Sequence, residues 1–122
     1  MAELPELTFT LVSWSLDDGE AVHREAPDTF WMPPKEQRES LRPGDIVKLM
    51  FRMVLRDPAT GEEQEKVERM WVGVTSREGH GYRGALDNDP HYTRDLAAGA
   101  EVEFEPRHVI RIYEEAPRDQ RG

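Results

Sequence analysis

The sequence predicts a mainly β (α+β) fold: a small, strongly bent antiparallel sheet or SH3-like barrel with one short helix. Three observations predict it. β-Branched and aromatic residues fall in short runs with two-residue alternation. Glycine and proline clusters separate those runs at close spacing, as in a closed meander. The stretch Arg69 to Pro90, RMWVGVTSREGHGYRGALDNDP, reads as strand, glycine turn, strand and polar turn, built on the chain's only asparagine, Asn88.

At 122 residues the chain is expected to form one domain, 1–122. Leu7 to Leu16 sets Thr8, Thr10, Val12, Trp14 and Leu16 against Phe9 and Leu11, and is predicted as a strand. Asp17-Asp18-Gly19 ends it in a turn. Residues 20–28 are polar without a period, and are expected as loop. Pro33-Pro34 opens a short polar helix to Leu41, since proline suits a first helical turn. Leu41 is its only large apolar residue, which predicts a cover and not a core element.

Arg42-Pro43-Gly44-Asp45 launches the longest strand, Ile46 to Arg56. Asp57 to Gly61 reverses the chain into a partner strand over Gln64 to Thr75. Glu78-Gly79-His80-Gly81 is the next reversal, and leads to a strand from Tyr82 to Leu86. An irregular loop follows over Asp87 to Asp95, then short strands at Glu101 to Phe104 and Val109 to Tyr113. The tail from residue 114 onward is expected to fray.

One face of the long hairpin carries Val47, Leu49, Phe51, Met53 and Leu55 beside Met70, Val72 and Val74. Burying each contributes about 1.5–3 kcal/mol. Ordering the backbone costs about 1–2 kcal/mol per residue, so the hairpin must be covered. The opposite face, with Ile46, Met50, Val54, Val67 and Trp71, is partly apolar and also needs a cover.

Composition excludes several function classes. The longest apolar run, Ile46 to Leu55, contains Lys48 and Arg52 and falls far short of a membrane span. The acidic MAELPELTF does not resemble a secretory signal, so a cytoplasmic location is expected. Without cysteine there is no disulfide, thiolate chemistry or cysteine metal site. The net charge of −9 divides into −6 over 1–30, +3 over 31–56 and −6 over 57–122. Such an acidic balance argues against general nucleic-acid binding, while the basic middle suits a small anion, an acidic patch on a partner or, more commonly, packing against the acidic regions themselves.

Phe30-Trp31-Met32-Pro33, PGDIVKLMF from Pro43 to Phe51, and RMWVGV from Arg69 to Val74 carry a resemblance to the YegJ-like family of bacterial proteins, a domain of unknown function. The resemblance continues through GALDNDP from Gly84 to Pro90, Gly99, Val102, Phe104 and RHVI from Arg107 to Ile110, spanning about residues 28–112. His91-Tyr92 departs from the apolar residue expected after Asp-Pro. The resemblance implies a fold and brings no established activity.

Candidate sites are few. Lys48, Arg52, Arg69 and Trp71 share the second hairpin face, where an aromatic ring beside cations suits an anionic or planar ligand or a partner side chain. The plainer reading buries Trp71 under the helix and pairs the bases with glutamates. Asp87, Asn88 and Asp89 offer hard oxygen ligands, but calcium loops use alternate positions around a glycine, and Asp and Asn also cap their own turns. No metal and no cofactor is expected. His108 follows Pro106 and is read as bonding a turn. Serine elbows, phosphate loops and zinc spacings are absent from the sequence.

A non-enzymatic protein-interaction module is therefore expected, with another protein as partner and no nucleic acid or membrane. Its acidic flanks also suit an immunity role against a basic enzyme. The alternative is a small-ligand-binding or hydrolytic enzyme using the Asp87–Tyr92 loop with His108.

Overall fold

A computed structural model describes residues 9–114. The elements are β1 (Thr10–Leu16), α1 (Gly19–Glu25), α2 (Lys35–Arg38), β2 (Ile46–Arg56), β3 (Glu63–Glu78), β4 (Gly81–Leu86), β5 (Glu101–Phe104), a 3-10 turn (Pro106–His108) and β6 (Arg111–Ile112). They form an antiparallel meander in the order β1-β2-β3-β4-β5, with β6 also on β2. The predicted mainly β class is observed, as a strongly curled half-barrel.

The curl follows from how β2 uses its edges. One edge pairs with β3 without interruption, from Ile46 opposite Gly73 to Arg56 opposite Glu63. The other edge is shared: β1 takes Phe51 to Arg56, and β6 takes Val47 and Lys48. Between them, the Asp17 N–H donates to the Met50 carbonyl and the Ile110 N–H to the Lys48 carbonyl. Irregularities in register at Leu11/Ser13 and Val74/Ser76 add local twist. The seam beyond β1 is tied by a parallel bridge from Phe9 to Thr93 and by the Leu11 N–H donating to Asp95 Oδ2 at 3.0 Å.

The inward hairpin face forms the core as expected: Val47, Leu49, Phe51, Met53, Leu55, Met70, Val72 and Val74 are all buried. Tyr82, Leu86, Val102, Phe104 and Val109 close the cluster, with Tyr82 stacked on Phe104 at 5.3 Å between ring centroids. The buried Tyr82 hydroxyl donates to the Arg38 carbonyl at 2.9 Å and accepts from the Leu41 N–H and from Arg77. That hydroxyl pins the end of α2 to the sheet. Gly84 sits where β4 presses on β3: a Cβ there would lie 2.5 Å from the Gly73 carbonyl oxygen.

Several expectations change, and β3 runs on to Glu78, past the expected end at Thr75. Residues 20–28, expected as loop, contain α1, because Asp18 caps the Glu20 and Ala21 N–H groups at 2.9 and 3.2 Å. Buried Gly19 lets that helix approach Ile110 and Met32, whose atoms would lie 3.0 Å from an added Cβ. The helix expected over Pro34 to Leu41 spans only Lys35–Arg38, and Leu41 belongs to the core cluster instead of acting as a cover. The last strand shortens to Arg111–Ile112, since Val109 closes the 3-10 turn on the Pro106 carbonyl. Residues 7–8 of the first expected strand, and the expected frayed tail apart from Glu114, lie outside the described residues.

Arg38, only 7% exposed, is the polar keystone of the helical cover. Its guanidinium donates to the Pro33 carbonyl at 2.9 Å, to Glu20 at 2.7 Å and to the Pro106 carbonyl at 3.0 Å. It thereby joins α1, α2 and the 3-10 turn. Among the described residues no helix is long and apolar enough to cross a membrane.

Candidate functional site

Strand alternation sends Lys48, Met50 and Arg52 of β2 to the outer face, opposite Trp71, Arg69 and Val67 of β3. β6 then sets Arg111 opposite Lys48 on the other edge. Across β6, β2 and β3 the outer row therefore reads Arg111, Lys48, Trp71. Two cations stand directly opposite each other, an arrangement that destabilises a sheet.

Aromatic rings organise this row. Lys48 Nζ lies 4.5 Å from the centroid of the Trp71 ring. Trp71 meets Tyr113 edge-on, with centroids 5.7 Å apart and planes at 85°. The Arg69 guanidinium lies 5.6 Å from the Phe30 ring. The segment Thr29 to Trp31 and the run from Ile110 to Arg111 wall a cleft of about 250 Å³, whose floor includes Lys48 and Arg69. Trp31 lies at its rim, 67% exposed, and Tyr113 beside Trp71 is 51% exposed.

Among the described residues, no carboxylate lies within ion-pair distance of Lys48, Arg69 or Arg111. Elsewhere Lys35, Arg38, Arg52, Arg56, Arg83 and Arg107 each hold at least one carboxylate, while Arg24, Arg42, Lys66, Arg77 and Arg94 hold none among the described residues. What distinguishes the cleft is adjacency: two of its cations, Arg111 and Lys48, face each other across neighbouring strands.

Of the four residues expected on this face, three gather at the cleft and its edge. The fourth, Arg52, is engaged elsewhere: Nε and Nη2 donate to the two oxygens of Asp17 at 2.8 Å each, and Nη1 donates to Glu65 at 3.0 Å. These bonds, those to Asp17 foremost, raise the Arg52 pKa above its ordinary value. The Trp71 ring meets Lys48 and Tyr113.

The Asp87-Asn88-Asp89 turn serves the sheet. Asn88 Oδ1 accepts the Trp71 N–H, while the Asp87 N–H donates to the Trp71 carbonyl at 2.8 Å. Asp89 Oδ1 accepts the Ala98 N–H at 3.0 Å. The Glu68 carboxylate accepts the His91 N–H at 2.7 and 2.9 Å, fixing the rest of the loop. No cluster of three or more His, Asp or Glu able to hold a metal ion occurs among the described residues.

His108 lies apart from that loop. It is 8% exposed and lines a different cleft, of about 410 Å³, with Tyr82, Arg83, Glu78 and Glu103. Its Nδ1 accepts the Glu105 N–H at 2.9 Å, which places the proton of the neutral ring on Nε2. Burial foremost, then Arg107, pushes its pKa below the ordinary histidine value, against a smaller upward pull from Glu105 and Asp18. The turn-bonding role expected of His108 is what the geometry shows.

Sequence reasoning missed Phe30, Trp31, Arg111 and Tyr113 as members of the cleft. The Phe-Trp pair before Met-Pro-Pro was the one available signal, since nothing local brings Arg111 beside Lys48. The chain matches no protein-family model, no curated protein and no solved structure.

Proposed function

We propose that this protein is a non-enzymatic binding module that engages another protein through the aromatic–basic cleft. One observation carries the reading: Lys48, Arg69 and Arg111 converge on one cleft without a carboxylate among the described residues, beside an exposed Trp31. Tryptophan, tyrosine and arginine are the residues in which interface energy concentrates. A cation pair opposed across strands is unfavourable until an anion arrives. A bound partner would relieve that repulsion as it buried the indole. The cleft is also smaller than the roughly 300–1,000 Å³ usual for small-molecule sites, which favours side chains of a partner. The YegJ-like resemblance adds no activity to this reading.

The test is affinity capture from native lysate with the wild-type protein and with Trp31→Ala and Arg69→Ala. A specific protein recovered by wild type and lost with both variants, at unchanged melting temperature, is the expected result. A recovered set that neither substitution alters would reject the cleft as the contact surface.

A further inference from the structure

We infer that the occupant of this cleft is an acidic polypeptide segment, in which carboxylates alternate with apolar side chains. This rests on the binding-module reading above and goes further by fixing the chemistry of the partner. Three charge carriers, Lys48, Arg69 and Arg111, line a space of about 250 Å³. Two of them are guanidinium groups, whose planar donor forks match carboxylate geometry. Lys48 adds a point charge between them and is held in place over the Trp71 ring. More than one carboxylate is needed to balance this set.

The flanking rings decide against a bare anion. Trp31, which lines the cleft, presents a large exposed apolar surface that an inorganic ion cannot cover, and exposed Tyr113 lies against Trp71 beside it. An extended segment points successive side chains in opposite directions, so acidic and apolar residues in alternation can meet both features. The rest of the molecule decides against a long polyanion. The net charge of −9 opposes a long nucleic acid as a whole, whereas a short acidic segment need meet only the cleft.

The experiment is calorimetric titration of the full chain with a blocked synthetic peptide of alternating Glu and Leu. The same peptide with Gln replacing Glu, inorganic phosphate and a single-stranded oligothymidylate are the comparison probes. The expected result is saturable binding of the Glu peptide, weakened about tenfold by Gln replacement and about tenfold by Arg69→Ala, the size of a lost charged contact. Phosphate and the oligonucleotide should fail to displace the peptide. If Arg69→Ala does not fold, Arg111→Gln on the exposed edge of β6 reads the same charge. No saturable heat, equal binding of the Gln peptide, or displacement by either phosphate or oligonucleotide would overturn the inference. Should the peptide fail while Trp31→Ala still releases a captured lysate protein, the binding module stands and its acidic partner falls.

Discussion

Asn88 holds Trp71 by its main chain. The amide oxygen accepts the Trp71 N–H where β4 has ended, and the neighbouring Asp87 N–H returns a bond to the Trp71 carbonyl at 2.8 Å. A side chain thus substitutes for one more rung of the β3–β4 ladder. Because Lys48 rests on the Trp71 ring, the turn that sequence offers as a metal candidate instead positions one wall of the aromatic–basic row. Asn88→Ala should strip that rung and cost about 1–3 kcal/mol, the penalty of an unsatisfied buried donor. Urea denaturation followed by tryptophan fluorescence measures it. Asn88→Asp, which keeps the acceptor, should lose much less.

Tyr82→Phe isolates the hydroxyl that ties α2 to the sheet. The ring packing on Phe104 is retained, while the Arg38 carbonyl, Leu41 N–H and Arg77 all lose a partner. A loss of about 1–3 kcal/mol is expected from the denaturation midpoint. A change within error would mean that water replaces the hydroxyl.

Gly84→Ala should be worse tolerated than either. Its Cβ would fall 2.5 Å from the Gly73 oxygen and 2.7 Å from Val72 Cγ1, contacts that only backbone movement relieves. Overpacking of this kind costs about 1–3 kcal/mol or more. Loss of sheet signal or a marked fall in melting temperature is the readout, and a wild-type melt would contradict the close strand approach.

Stability should fall as solution is acidified from neutrality. The folded pKa of His108 lies below its ordinary value of 6.5, so the unfolded chain takes up that proton first. Its contribution is complete above about pH 6.5 and diminishes as pH falls toward the folded value. At Asp18, burial acts upward, but the Ala21 and Glu20 N–H bonds and Arg107 outweigh it and leave the carboxyl below its ordinary 3.8. That second contribution is present above the unfolded value and disappears in stronger acid. Thermal melts at stepped pH should decline first near pH 6, and His108→Asn should flatten that first step while keeping an acceptor for the Glu105 N–H.

Arg52→Ala is the internal control for the cleft. Its guanidinium is committed to Asp17 and Glu65, so its removal should leave binding of an acidic peptide unchanged. An effect as large as that of Arg69→Ala would mean that the general field of the face, and not the cleft, attracts the ligand.

What was legible in the sequence is what depends on local alternation. Val47 to Leu55 on one side and Met70 to Val74 on the other announce the hairpin, and β2 has the predicted bounds. Helix α1 was not legible, because GEAVHRE has no apolar stripe. Its existence depends on the Asp18 cap and on Ile110 packing against Gly19 from far along the chain. The cleft was half legible for the same reason. Lys48, Arg69 and Trp71 follow from the pairing of adjacent strands, whereas Arg111 reaches Lys48 only through the return of β6 to β2.

That return has a temporal consequence. Chains emerge from the ribosome amino end first, and β1 through β4 can hydrogen-bond to their neighbours before the last strand exists. Until residue 111 is out and zipped against Lys48, the cleft lacks a wall and one of its three cations. The cleft, and any binding proposed for it, would thus be assembled only after β6 joins β2, and dismantled when β6 peels away.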